Sequence, residues 1–140
     1  MANDPDCIFC KIAAGIAPSF KIYEDAEALA FMDINPFNEG HTLAIPRAHF
    51  ADLHEVDEAA MAATLRAAKR AAKAIEAVLK PDGINLIQAN GPGAAQSVMH
   101  FHIHVFPRKF GDEASLNWGL KPGDRKAIGA LAKRLKAAIA

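Results

Sequence analysis

Residues 97–108 read SVMHFHIHVFPR, and within them His100, His102 and His104 alternate strictly with Phe101 and Ile103. Side chains in a strand point alternately to opposite faces, so this pattern predicts a strand over residues 97–107. Val98, His100, His102, His104 and Phe106 would share one face. Met99, Phe101, Ile103 and Val105 would share the other and pack on a core. A chain with such a segment must build a sheet that is apolar on one side and exposes imidazoles on the other. Solvated strand faces ordinarily use Thr, Lys or Glu. Imidazole brings something they lack, because near neutral pH it can be a nucleophile, a proton donor or a metal ligand. Same-face neighbours lie ~6–7 Å apart, which puts His100 and His104 ~13 Å apart at Cα. Two neighbours can share an ion, whereas all three on one ion would need a bent strand. A division of labour along the row is expected.

The rest of the chain supplies the elements such a sheet needs. CIFCKIAAG predicts a short helix ending at Gly15. SFKIYED and ALAFMDI read as two strands joined by a turn at Glu24–Glu27, and HTLAIP as a third after the loop NPFNEG. A long helix runs from Asp57, a suitable N-cap, to Lys80, where Pro81 and Gly83 end it. Its apolar stripe is Met61, Leu65, Ala68, Ala72, Ile75 and Leu79, with Arg66, Lys69, Arg70 and Lys73 on the solvated side. INLIQAN gives a fourth strand, NGPGAAQ a loop, and the histidine segment a fifth strand. Ile128, Leu131, Leu135 and Ile139 mark a C-terminal helix. Clustered strands with one long helix inserted late indicate an α+β fold with a largely antiparallel sheet.

The 140 residues form one domain by size, and no repeat or long linker divides them. Sixteen basic side chains balance sixteen acidic ones, so no overall field recruits nucleic acid or an anionic membrane. A phosphorylated ligand would have to be held by local groups. No apolar run approaches the ~20 residues of a membrane span, and MANDPD does not read as a signal peptide. A cytoplasmic location is expected. Cys7 and Cys10, in a reducing compartment, read as ligands or a redox pair before they read as a structural disulfide. A thioredoxin-like pair would open a helix after a strand in a βαβ unit, which this sequence lacks. Cys-x-x-Cys also spans half of a four-ligand zinc shell.

HFHIHVF resembles the His-x-His-x-His motif of the histidine triad (HIT) family of nucleotide hydrolases and transferases. CIFCKIAAG, YEDAEALAFMDINPFNEGHTLAIPRAH and ANGPGAAQSVMHFHIHVFPR stand in that family's order and spacing, up to about Trp118. The likeness is greatest to the Hint-type branch, among bacterial members with an N-terminal Cys-x-x-Cys. The resemblance implies a HIT-like α+β fold over residues 1–140, a homodimer, and no organic cofactor. It implies that His102 attacks the α-phosphorus of a purine nucleotide, giving a nucleotidyl-histidine that water hydrolyses. His104 would bind phosphate and handle the leaving group's proton. Ser97, Gln96 and Asn90 would contact the reacting phosphate and leaving group.

Asp33 would accept hydrogen bonds from the ribose hydroxyls, and Ile8, Phe9, Ile12, Phe31, Ile34 and Leu43 would wall the base. Cys7, Cys10, His49 and His100 would hold one structural zinc ion per chain. Phosphoramidates of purine nucleosides are the expected substrates, with dinucleoside polyphosphates the alternative. A non-catalytic nucleotide-binding scaffold is the contrasting class, although binding alone needs no nucleophile. A glycine-containing loop at Asn90–Ser97 could aim backbone N–H groups at phosphate oxygens. The likeness departs at Ala95, where the family commonly has glycine: a left-handed backbone there would strain Ala95 or shift the loop. His41 could border the phosphate site, His54 is expected on the surface, and Trp118 would lie in a tail reaching toward a partner.

Overall fold

The computed structural model describes residues 3–114 and 119–140. Five strands, β1 (Lys21–Glu24), β2 (Ala28–Met32), β3 (Thr42–Pro46), β4 (Gly83–Ile87) and β5 (Ile103–Arg108), form one antiparallel sheet in the order β1-β2-β3-β5-β4. Three helices accompany it: α1 (Ile8–Ala13), α2 (Glu58–Leu79) and α3 (Arg125–Ala138). Trp118 falls outside the described residues. Among them, no helix is long and apolar enough to cross a membrane.

The central strands are buried on both faces, and the size of their side chains sorts the faces. Ala28, Ala30 and Ala44 meet Ala63, Ala67, Ala68 and Ala71 of α2, with Phe101, Ile103 and Val105 completing that core. Small residues on both sides let the helix approach the sheet closely. On the opposite face Leu29, Phe31, Leu43 and Ile45 pack with Phe9 and Ile12 of α1. Phe31 pairs with Leu43, and Leu43 with His104, so register carries this second face across to the last histidine of the triad.

The Asp57 side chain caps α2 by accepting from the Ala60 N–H at 2.7 Å, and Lys80 ends the helix in the left-handed region at φ 47°. Gly40, at φ +90°, is required where it stands. A Cβ there would come within 2.6 Å of Leu79 Cδ1 and 3.2 Å of Pro107 Cγ. The next residue, His41, is thereby held directly against the sheet.

Several expectations need correction. The fifth strand starts at Ile103, not Ser97; residues 97–102 bend, and Met99 is half exposed instead of joining the core face. The fourth strand stops at Ile87, three residues short of Asn90. Leu65 lies outside the buried stripe of α2, which runs instead through Ala63, Thr64, Ala67, Ala68, Ala71 and Ile75. The basic side of that helix is more than a solvated face. Arg66 ion-pairs with Asp25 and Glu27, and Arg70 stacks 5.4 Å above Tyr23, tying α2 to the β1–β2 turn. The C-terminal helix forms where expected, capped by Asp124, but Ile128, Leu131, Leu135 and Ile139 are all exposed.

Candidate functional site

Cys7 is the N-cap of α1, its Sγ accepting from the Cys10 N–H, and one helical turn returns Cys10 to the same side. His49 follows β3 and His100 precedes β5. Cys7 Sγ lies 3.4 Å from His100 Nδ1; Cys10 Sγ lies 3.4 Å from His49 Nδ1 and 3.5 Å from His100 Nδ1. The four donor atoms all fall within 4.8 Å of one another. With Zn–S of about 2.3 Å and Zn–N of about 2.0–2.1 Å, the sulfur–nitrogen edge of a tetrahedral shell is ~3.5 Å. These residues therefore fit such an ion. His100 Nε2–H donates to the Pro46 carbonyl at 2.9 Å, which fixes the tautomer and leaves Nδ1 free to ligate. Burial pushes the His100 pKa down to about 4, so the ring is neutral. The same burial raises the Cys10 thiol, a cost that ligation would reverse.

The two residues between the cysteines face elsewhere. Ile8 and Phe9 are walls of a cavity of about 490 Å³. Ile12, Phe31, Ile34 and Leu43 also line it, and Asp33, Ser97, His102 and His104 bring polar groups to it. Every base-pocket residue expected from sequence is thus at one cavity, together with Asp33 and the catalytic candidates. An apolar chamber with a few convergent polar groups is the usual form of a small-molecule site.

Asn90 and Gln96 are not among its walls. The Asn90 carboxamide accepts from the Leu53 N–H and exchanges hydrogen bonds with Gln88. Gln96 is buried, donating to the Ala51 and Val98 carbonyls and accepting from the Gly91 N–H. Four N–H groups of the glycine-containing loop also turn inward: Gly91 bonds Gln96 Oε1, Ala94 and Gln96 bond the Gly91 carbonyl, and Ala95 bonds that of Pro92. In this geometry those four N–H groups close the loop on itself, and the Asn90 and Gln96 side chains are engaged within the protein. Ala95 sits at φ +60°, ψ 36°, the left-handed conformation that costs a non-glycine residue ~1–2 kcal/mol.

Two hydrogen-bond chains set the protonation of the imidazoles. His102 Nδ1 lies 2.7 Å from the His100 carbonyl oxygen, which can only accept. His102 therefore carries its proton on Nδ1 and its free lone pair on Nε2. The second chain runs through His41. Its Nδ1 accepts from the Phe37 N–H at 3.1 Å, so its proton is on Nε2. That nitrogen stands 2.9 Å from His104 Nδ1 and 3.5 Å from Asp33 Oδ2. His104 Nδ1 must then accept, leaving an N–H at Nε2. Burial lowers the pKa of His41 and His102, and drives that of His104 down to about 4, helped by neighbouring His102 and His41. All three are neutral near pH 7. The site thus pairs a neutral imidazole that offers a lone pair with one that offers a proton, and their rings lie 5.0 Å apart.

Sequence reasoning placed His41 only at the border of this site. The signal that could have found it was Gly-His at the start of a buried strand, since an imidazole there is costly without a partner. His54 is exposed, as expected.

The sequence pattern of the HIT domain matches residues 14–111. An adenosine 5′-monophosphoramidase, HNT1 of Saccharomyces cerevisiae, is 40% identical over 139 residues, covering 97% of this chain and 84% of that protein. The crystal structure of a HIT family protein from Bacillus anthracis superposes with a TM-score of 0.90 at 33% identity, covering 97% of this chain and 99% of the other. A Zn-bound histidine triad family protein from Mycobacterium smegmatis does so at 0.74 and 37% identity, covering 96% and 98%. With His100, His102 and His104 in the triad positions, this chain belongs to the HIT domain family, beside its Hint-like members.

Proposed function

We propose that the protein is a nucleotide hydrolase or transferase that cleaves at the α-phosphorus of purine nucleoside phosphoramidates, with residues 1–140 forming one HIT domain. The observation that carries this reading is the His102–His100 carbonyl hydrogen bond, which leaves a neutral Nε2 lone pair free beside the cavity. An imidazole so held needs to lose no proton before it attacks phosphorus. The base lies between Phe9, Phe31 and the aliphatic walls, and Asp33 takes the ribose hydroxyls. His102 Nε2 bonds to the α-phosphorus as the phosphorus–nitrogen bond to the amine breaks. A proton from solvent passes to the leaving amine through His104, which ends neutral while its Nδ1 keeps the hydrogen bond from His41. Water then attacks the nucleotidyl-histidine, its proton leaves by the same route, and the nucleoside monophosphate is released. Ser97 contacts the phosphate, and Asn90 and Gln96 act by holding the loop that presents it. HNT1, named for the same chemistry on an adenosine phosphoramidate, supports this choice of substrate.

The cluster of Cys7, Cys10, His49 and His100 holds zinc in this reading, and the mycobacterial relative is itself Zn-bound. A closed set of four protein ligands supplies folding energy and positions the chain. The protein acts in the cytoplasm as a homodimer. Support for the dimer comes from β4, which ends the sheet, and from a groove of about 550 Å³ between α2 and β4 lined mainly by Ala62, Leu65, Ala72, Ile84 and Leu86. Leu65 and Leu86 stand about half exposed there. Light scattering should give twice the chain mass; the mass of one chain at micromolar concentration would remove this part.

Rapid quench of an adenosine phosphoramidate turnover followed by mass spectrometry tests the reaction. A nucleotidyl adduct should map to His102. His102→Ala should lose several orders of magnitude in rate while still binding AMP, because the path through a covalent intermediate is gone. An adduct on another residue, or near-normal turnover by His102→Ala, would sink the assignment.

A further inference from the structure

The metal-type cluster and the cavity share one short piece of chain. Cys7 and Cys10 face the cluster while Ile8 and Phe9, between them, face the cavity. Cys7 caps, and Ile8, Phe9 and Cys10 lie in, a helix only six residues long. Its own hydrogen bonds cannot hold so short a helix in place, so its position depends on what its side chains are tied to. Phe9 meets three rings edge-on: Phe31 at 5.5 Å, His100 at 5.9 Å and His102 at 5.3 Å. His100 faces both ways as well. Its ring belongs to the cluster, and its carbonyl fixes the proton of His102 at 2.7 Å. Two routes, one through Phe9 and one through the His100 backbone, therefore join the cluster to the base wall and the nucleophile.

We infer that the Cys7–Cys10 clip is a positioning element for the nucleotide site, so that metal in the cluster and nucleotide in the cavity strengthen one another's binding. The inference rests on the nucleotide reading of the cavity and adds to it a second role for the metal ligands. With Cys7 and Cys10 tied to His49 and His100, Phe9 is pinned against Phe31 and His102. A nucleotide that packs on Phe9 and engages His102 in turn holds α1 where its cysteines meet the two histidines. Such coupling must be equal in both directions.

The test measures zinc affinity by competition with a chromophoric chelator, with and without saturating AMP, and AMP affinity by calorimetry at full zinc loading. AMP should tighten zinc roughly five- to a hundredfold, the usual span of coupling between sites. A ligand that merely favours the folded state could do the same if the zinc-free chain unfolds. Phe9→Leu separates the two, because it keeps an apolar wall but loses the ring contacts to His100 and His102. Coupling should fall at least severalfold in that variant. If the loaded protein binds AMP and zinc affinity does not change, this inference falls and the nucleotide reading stands. If coupling persists undiminished in Phe9→Leu, the inference falls too. If the loaded protein does not bind AMP, the nucleotide reading fails and takes the inference with it.

Discussion

Two groups of metal-capable side chains stand a few residues apart, and their geometry separates an ion from a proton. In the first, Cys7, Cys10, His49 and His100, the sulfur–nitrogen contacts are 3.4–3.5 Å, the edges of a shell with room at its centre. In the second, Asp33, His41 and His104, the donor atoms also lie within 4.8 Å of one another. There, however, His41 Nε2 and His104 Nδ1 are 2.9 Å apart while the ring centroids are 5.1 Å apart. The difference nearly reaches the full two ring radii, its maximum, so the nitrogens point at each other. An ion on that line would need ~4 Å between them at ordinary Zn–N lengths. Only a proton fits. Proximity of the right side chains therefore does not define a metal site; the direction of their lone pairs does.

Substitutions in either group test this difference. The largest effect is expected at the relay. His104→Ala should lower turnover of a phosphoramidate by ~10²–10⁴, the usual contribution of a general acid, and by less where the leaving group needs no proton. Its zinc content, measured by plasma emission, should not change. A variant that lost zinc together with activity would place His104 in the metal group and erase the distinction.

Cys7→Ala should do the reverse. Metal should be lost and the melting temperature should fall, since a structural zinc contributes directly to folding. Slow turnover should persist because the His41–His104 chain is intact. Full thermal stability in this variant, or a Cys7–Cys10 disulfide in the native protein, would remove the metal reading.

The smallest effect is a dependence of stability on pH. His41 and His104 are held neutral in the fold, with His104 lowered to about 4 from an unperturbed value near 6.5. On unfolding in mildly acidic solution they take up protons. Their contribution is thus complete above about pH 6.5 and is lost as pH falls toward 4. Urea unfolding at pH 7 and pH 5 should show a smaller loss for His104→Gln than for the wild-type chain, a comparison in which the zinc ligands are common to both. An equal loss would show that His104 titrates alike in folded and unfolded chains.

Much of this site was legible in the sequence because the signals were local. Alternation set His104 on the face opposite Ile103 and Val105, and the three-residue step between Cys7 and Cys10 spans one helical turn. What failed to show was long-range or non-regular. The strand prediction ran six residues too far because alternating side chains look alike in a strand and in the bent segment before it. That bend serves His100 and His102, whose ring and backbone bonds replace sheet pairing. Leu65 matches a helical stripe as well as any residue in α2. Only the close packing of Ala63, Ala67 and Ala71 on strand alanines decides that it stays outside.

The intrinsic periodicity of helices and strands, which needs no knowledge of distant neighbours, set the element types and the antiparallel α+β class from sequence alone. The zinc ligands and the apolar residues around Asp33 came instead from the resemblance of the sequence motifs to the HIT family. Tertiary structure decided the rest. It set His41 against His104, turned Asn90 and Gln96 inward, and put Ile8 and Phe9 on the cavity while their flanking cysteines meet His49 and His100. Those outcomes depend on which distant groups satisfy a buried donor or fill a gap. A hydrogen bond or packing contact between residues sixty or ninety positions apart leaves no periodic trace in the chain.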